Sequence, residues 1–444
     1  MNRMQLALLA FASTCMFAQS PDYGGPPLLG DGEPPSNTQP VTQTGFRPYV
    51  IVNQIYDSGA AIGRTNPYSP LDDSGAFGVE TDVGLSGYQR WNHTLLHLDY
   101  RGDFRRFTQK TIYDGSDQSI DLRILHSIAS HARLSFKESA GTLANGFGGA
   151  WGLGFVDPDS RSVPSQELSA NRVNYFDTQA VFTYQKSARL AFSATADGFL
   201  VHRQFSTLFG ETDYSARGEM AYRISRHTTI GAEYSYVHFA MNRFLGLADV
   251  HTLAFDYATR ISRTFEVAVQ MGVSRAETLG VVTVNIDPVV AAIIGQTTGF
   301  ETAYERAHLP TLTARGAKNI GRGMVQIQYL HGITSGNGLW SASTTNGVTG
   351  SYAYAGIRRW NFQVAFGYSN LANLLRSAGS YGGYNGAASA ARVVGKNCQL
   401  ITRFDWRQYD VSPTGVSDVL TAANRAYYRA TIGIAFAPGD RPLI

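Results

Sequence analysis

Apolar and polar residues alternate along most of this chain with the period of a β-strand. The clearest stretch surrounds the turn Tyr222-Arg223-Ile224-Ser225-Arg226-His227-Thr228-Thr229-Ile230. Before it, Met220, Tyr222 and Ile224 share one parity, and Arg217, Glu219 and Arg223 share the other. After it, Ile230, Ala232, Tyr234 and Tyr236 lie opposite Thr229, Gly231, Glu233 and Ser235. Successive strand side chains point to opposite faces, so each arm has one apolar and one polar side. The unit is a β-hairpin, and it recurs along nearly the whole chain.

A soluble sheet would bury the apolar face in a core, whereas a transmembrane barrel turns it to lipid and its polar face to a lumen. Length favours the barrel. The arms run roughly 11 to 14 residues, against about 5 to 6 for soluble strands and about 9 to 11 for a tilted membrane-crossing strand. Short turns with basic or aromatic residues fall at 87–91, 130–133, 186–189, 225–227, 262–264, 318–322, 358–360 and 395–397. They alternate with longer connections at 105–117, 142–172, 203–210, 242–249, 277–305, 335–349, 373–387 and 411–421. Roughly eight short-turn hairpins give about 16 strands, and the segments 46–56 and 425–437 raise the count to about 18. The predicted fold is all-β, a transmembrane antiparallel up-and-down β-barrel over residues 46–437 of about 18 strands, with 16 as the other count. Both ends of the barrel fall on its short-turn side.

Parity then assigns the faces. Outward positions include Val79, Val83 and Leu85; Leu253, Phe255 and Tyr257; Val267, Val269 and Met271; and Ile432, Ile434 and Phe436. The lumenal candidates are Asp99, Arg101, Asp103, Arg123, Glu219, Arg223, Glu233, Asp256, Arg260, Arg403, Asp405 and Arg407. A charge on the lipid face costs about 2–4 kcal/mol at the bilayer midplane, so charges belong on the opposite parity. Trp91 and Trp360, beside short turns, fit an interfacial aromatic girdle.

Composition adds boundaries. The 444 residues include Gly 46, Tyr 24 and Phe 24, which suits a turn-rich β protein. The net charge of +3 is too small to imply a nucleic-acid partner. Residues 1–18 read as a signal peptide, with Arg3 ahead of an apolar run. Residues 19–45 form a Pro-rich periplasmic tail, and 438–444 a short C-terminal tail. Loss of Cys15 with the signal peptide leaves Cys398 alone, which excludes an intrachain disulfide and a Cys-based metal site.

Motifs for chemistry are weak. His93 and His97 would share a metal on a helix, but on a strand they stand about 13 Å apart. No Gly-x-Ser-x-Gly elbow accompanies the Ser, His and Asp residues. No enzyme activity and no cofactor are expected. The lumenal charges are of both signs, which suits either pairing across the wall or a transverse field that screens solutes in a water-filled pore.

The alternating strands, the turn asymmetry and the last strand Tyr428-Arg429-Ala430-Thr431-Ile432-Gly433-Ile434-Ala435-Phe436 resemble the outer-membrane β-barrel proteins of diderm bacteria. The resemblance covers residues 46–437 and is one of architecture. It implies an outer-membrane location, contact with outer-membrane lipid, and a terminal aromatic residue read by the outer-membrane assembly machinery. The functional expectation is a porin-like channel for passive diffusion of small hydrophilic solutes. The alternative is a non-conducting barrel in envelope assembly or polysaccharide export. An oligomer is compatible with either.

One connection stands out. Residues 277–305 hold the apolar run Val289-Val290-Ala291-Ala292-Ile293-Ile294 behind Asp287-Pro288, an N-cap followed by proline at the first helical position. The pattern predicts a short helix with its apolar face buried against or inside the barrel mouth, making Asp287, Pro288, Val289 and Ile293 a loop constriction. The rival reading is a hairpin that extends the wall above the membrane.

Overall fold

The computed structural model of the chain describes residues 45–58, 75–108, 114–144, 172–203, 209–242, 245–336, 338–375, 379–412 and 426–438. The expected signal peptide, the Pro-rich tail and most of the 142–172 and 411–421 connections lie outside them, as do residues 439–444.

The strands are β1 (Gly45–Asp57), β2 (Ala76–Arg90), β3 (Thr94–Phe107), β4 (Gly115–Ala129), β5 (Ala132–Ala144), β6 (Arg172–Gln185), β7 (Leu190–Arg203), β8 (Gly210–Arg223) and β9 (Thr228–Asn242). They continue through β10 (Gly246–Ser262), β11 (Phe265–Asn285), β12 (Thr298–Ile320), β13 (Gly323–Gly336), β14 (Trp340–Tyr354), β15 (Trp360–Asn373), β16 (Ser380–Val393), β17 (Cys398–Ser412) and β18 (Ala426–Phe436). One helix, α1 (Pro288–Ile294), interrupts the series between β11 and β12. Each strand pairs antiparallel with its chain neighbours, and β1 pairs with β18 from Val50↔Phe436 to Asp57↔Arg429. The sheet is therefore a closed barrel of 18 strands.

The faces follow parity. On β8, Tyr214, Met220 and Tyr222 are exposed, while Glu211, Asp213, Ser215 and Glu219 are buried. On β10 and β11, Leu253, Phe255, Tyr257, Met271 and Val273 are exposed, and Ala254, Asp256, Ala258, Ala268 and Ser274 are buried. Buried charges beside exposed leucine and phenylalanine invert the order of a soluble protein. Water would not tolerate that outer band; hydrocarbon does.

On the short-turn side, the connections are as tight as expected. Gly321 has φ 61, the left-handed conformation that a close hairpin turn needs, and Arg359 is the one non-glycine residue with positive φ among the described residues, at 68. Trp91 is exposed beside its turn, and Trp360 stacks on Phe362 with ring centroids 5.5 Å apart.

The far rim corrects several expectations. Residues 335–349 were expected as a long loop; instead β13 runs to Gly336, β14 starts at Trp340, and only 337–339 connect them. Likewise 373–387 and 242–249 are largely strand. Much of 277–305 is strand as well: β11 and β12 pair as far as Asn285↔Thr298, whereas β10 leaves β11 at Gly246↔Gly280. Five further residues of β11 raise this hairpin about 17 Å above β10. On its other side, β12 pairs with β13 only from Leu312↔His331 downward. Pro310 stands just above that point, and proline cannot donate to a ladder.

A lipid-face charge should therefore be costly. Tyr257→Arg and Val269→Arg, cross-strand neighbours at mid-strand, are each expected to lose about 2–4 kcal/mol of barrel stability, whereas the lumenal exchange Arg123→Ala leaves assembly unchanged. Membrane yield of heat-modifiable barrel is the readout. Equal yield from all three variants would reverse the faces.

Candidate functional site

The strands carry charged side chains of both signs to the inner face, and the structure collects many of them into a chain of pairs at the seam where the barrel closes. Arg429 on β18 donates from Nη2 to Glu80 Oε2 on β2, 2.7 Å away. Arg105 on β3 places Nε 3.2 Å from the same oxygen. Its other end meets Asp117 on β4, whose Oδ1 lies 3.3 Å from Arg172 Nη1 on β6. Signs alternate along the chain: Arg429, Glu80, Arg105, Asp117, Arg172. Below it Arg101 reaches Asp103 at 2.7 Å and Asp82 at 3.3 Å. Asn53 on β1, the strand that Arg429 crosses, donates to Glu80 at 3.4 Å and to Asp82 at 3.5 Å.

These pairs are nearly dry. Desolvating two charges costs several kcal/mol per ion, so each must be met by a partner of opposite sign. The β1–β18 ladder fixes Arg429 opposite Asp57, and the β2–β3 ladder fixes Glu80 opposite Arg105. Register is thus what places the charges, and the charges in turn penalise a slipped register.

The other expected residues fall on the inner face but do not form one site. Arg403 is forked onto Asp405 on β17, with Nε 2.8 Å and Nη2 2.6 Å from its carboxylate. Asp256 is buried on β10. Glu219 accepts from Ser193 at 3.4 Å, and Glu233 from Gln270 at 3.0 Å, with Arg217 at 3.8 Å. Arg223 donates to the Ser225 carbonyl, and Arg260 pairs with Glu266, so both serve the short-turn rim. Asp99 and Arg407 share the inner parity of β3 and β17. Arg123 shares that of β4, flanked across the ladders by His97 and Lys137, and is exposed there. Alternation did not reveal Arg105, Asp117 or Arg172, because 105–117 reads as a connection and Arg172 sits at the end of another.

The predicted helix exists, but not the predicted burial. Asp287 Oδ1 accepts from Val289 N at 2.8 Å, Pro288 opens the helix and Gly295 closes it with φ 71. Yet Val289 is 70% exposed and Ile293 80% exposed. α1 rides on the tip of the raised β11–β12 hairpin, so the extended-wall reading fits and the apolar face is not buried against the mouth.

A different element packs against the inner wall at the far rim. The tip of the β13–β14 hairpin leaves the wall above Leu312↔His331 and folds inward. Its turn glycine, Gly338, accepts a hydrogen bond from Phe209 N at 3.0 Å, just before β8, five strands away around the barrel. Ala342 is fully buried with Val237, Phe239, Ala248, Val250 and Ala276, the inner face of β9 to β11, and with Leu374 from the connection after β15. Ile333 and Leu309 pack at the edge of this cluster. Ser343 Oγ donates to the Ser335 carbonyl at 3.0 Å, Thr334 bonds Thr345, and Trp340 lies against Tyr381 with ring centroids 5.9 Å apart. Gly338 has φ 78, and a Cβ there would stand 2.7 Å from the Phe209 carbonyl oxygen. Only glycine fits on both counts.

The hairpin has a sequence signature of a kind. Ser341, Ala342, Ser343 and Thr345 are buried in near succession, so β14 is covered on both faces there. A strand buried on both sides loses the period-2 contrast, and its small, hydroxylated residues read as loop.

Closure, the outward apolar band and the polar lumen make this a β-barrel of the outer-membrane type. No family model matches the chain, and no curated protein matches it. Solved structures similar to it include OccK2 (OpdF) of Pseudomonas aeruginosa in complex with glucuronate, with TM-score 0.44, 9% identity, and coverage of 89% of this chain and 99% of that one. OccAB3 of Acinetobacter baumannii has TM-score 0.43 and 9% identity, covering 88% and 99%. The outer membrane protein opdK of Pseudomonas aeruginosa has TM-score 0.41 and 11% identity, covering 89% and 99%.

Glu80 separates two buried guanidinium groups, and this predicts its worth. Glu80→Gln keeps the shape and removes the charge, leaving Arg105 and Arg429 to repel. It is expected to cost about 3–5 kcal/mol, read as a clear fall in the temperature at which the folded band disappears on unboiled gels. No change would show that the wall does not depend on this pair.

Proposed function

We propose that the barrel is a channel that passes small hydrophilic solutes by diffusion, with the β13–β14 hairpin narrowing its far mouth. The observation that carries this reading is Arg123. It lies mid-strand on the inner face, between His97 and Lys137, and is nevertheless exposed. A guanidinium exposed on the inside of the wall needs water beside it. Eighteen strands leave room for that water.

The wall's chemistry supports a general solute path. Acidic and basic side chains alternate around the seam and consume one another in pairs, so neither sign dominates. Such a wall presents short-range dipoles to a passing solute and little net field. Polar, uncharged or zwitterionic molecules suit it, and strong ion selectivity does not follow.

The hairpin supplies the narrowing. It crosses from β13 toward the inner faces of β9 to β11 and is anchored at Phe209. Its seat is apolar and its body is small-residue strand, so it is rigid where it sits.

Planar-bilayer recording from the purified protein tests the proposal. Stable openings are expected, and deleting residues 335–342 should raise single-channel conductance while the barrel stays heat-modifiable. Unchanged conductance in the folded deletion variant removes the constriction role. Silence from well-folded wild-type protein favours a non-conducting barrel.

A further inference from the structure

The outer face of β8 to β12 changes character abruptly near the far rim. One transverse row, Tyr234, Leu253, Val273 and Pro310, is mostly apolar and well exposed, as lipid contact requires. The next row outward is Tyr236, His251, Arg275 and His308, which are cross-strand neighbours. The row after that is His238, Asp249, Glu277 and Arg306. Rows of one parity lie two residues apart, about 7 Å. Within one such step the wall passes from hydrocarbon chemistry to a band of arginine, histidine and tyrosine.

The carboxylates in this band act as holders. Glu277 receives Arg275, receives Arg306 with Nε at 3.1 Å, and accepts from the Tyr304 hydroxyl at 3.0 Å. Asp249 accepts from Tyr236 at 2.6 Å and faces His238 Nδ1 at 2.8 Å. Tyr214 stacks on His238 at 4.6 Å, and Tyr234 bonds His251 at 2.9 Å. The guanidinium groups are held in place yet stay open to the surroundings, with Arg275 48% and Arg306 51% exposed. Arginine presents five N–H donors in a fork that matches phosphate, and one shared carboxylate leaves that fork usable.

We infer that this band is a docking site for the phosphorylated headgroup of an anionic lipid in the membrane leaflet at the far rim. Three observations carry it. The band begins one step above the apolar row, at the height where headgroups begin. Its side chains point to the surrounding membrane rather than the lumen. Its two arginines share a single carboxylate, Glu277, and stay about half exposed, so their remaining donors are open to the surrounding membrane. Aromatic rings beside the cations suit a sugar-bearing headgroup, because they offer flat apolar faces with polar edges. The inference is independent of whether the barrel conducts.

Native mass spectrometry of the full chain in detergent tests it, with a bis-phosphorylated glycolipid and its enzymatically dephosphorylated form as probes. Wild-type barrel should retain the phosphorylated lipid at least about tenfold more tightly than the dephosphorylated one, the worth of one charge-assisted hydrogen bond. This comparison needs no variant. R275S/R306S should abolish the preference, R275K/R306K should keep part of it, and R106S, an outward arginine on β3, should leave it intact. Equal retention of the two lipids by wild-type protein overturns the proposal. So does a lipid-free dimer through this face, or an R275S/R306S barrel that discriminates as well as wild type.

Discussion

The structure depends on one constraint: in hydrocarbon, every backbone N–H and C=O must find a partner within the protein. An open sheet would leave two edges without partners, so the first strand has to meet the last. Here β1 meets β18 over Val50–Asp57, and the closing register sets Asp57 beside Arg429. The seam is also where the densest ionic chain lies. Arg429, Glu80 and Arg105 reach across it from strands far apart in the chain, so closure is recorded in side chains as well as in the backbone ladder. A register error of one residue would turn these charges toward lipid and the apolar set toward the lumen.

The same constraint explains why so much of the fold was legible. Lipid outside and water inside force strict alternation, and alternation is visible in sequence. Leu253, Phe255 and Tyr257 against Ala254 and Asp256 is one instance; Met220 and Tyr222 against Glu219 and Ala221 is another. The strand number and the side on which the ends fall both followed. The failures share a cause. At the far rim lipid ends, and the rule ends with it. Residues 335–349 are hairpin because they pack against the inside of the wall, a contact between segments about a hundred residues apart. Arg105 and Asp117 find one another only once β3 and β4 are paired. Val289 and Ile293 read as burial-seeking from local hydrophobicity alone, yet the raised hairpin carries them outward, and nothing local encodes that height.

The far mouth thus has two elements of opposite behaviour. The β11–β12 hairpin rises away from the barrel with an apolar tip, while its neighbour β13–β14 folds into the lumen. They diverge beside Pro310, above the last β12–β13 pair. An imino acid that cannot donate to a ladder lets adjacent strands part without leaving an unmet donor at that site. One hairpin can then serve the interior and the other the exterior, without either breaking the closed ladder lower down.

That parting has a mechanical meaning. Below Leu312↔His331 the barrel wall is a continuous hoop and shares any deformation around its circumference. Above it the hoop is cut, and the upper part of β13–β14 is a cantilever rooted in β13 and β15 and pinned at its free end by Phe209 and the Ala342 seat. Strain applied to the rim, by tension in the bilayer or a molecule pressing from outside, concentrates at the root and the pin rather than spreading through the wall. The hoop keeps its shape while the Phe209 contact and the Ala342 seat carry the load, so a push on the rim need not loosen the barrel.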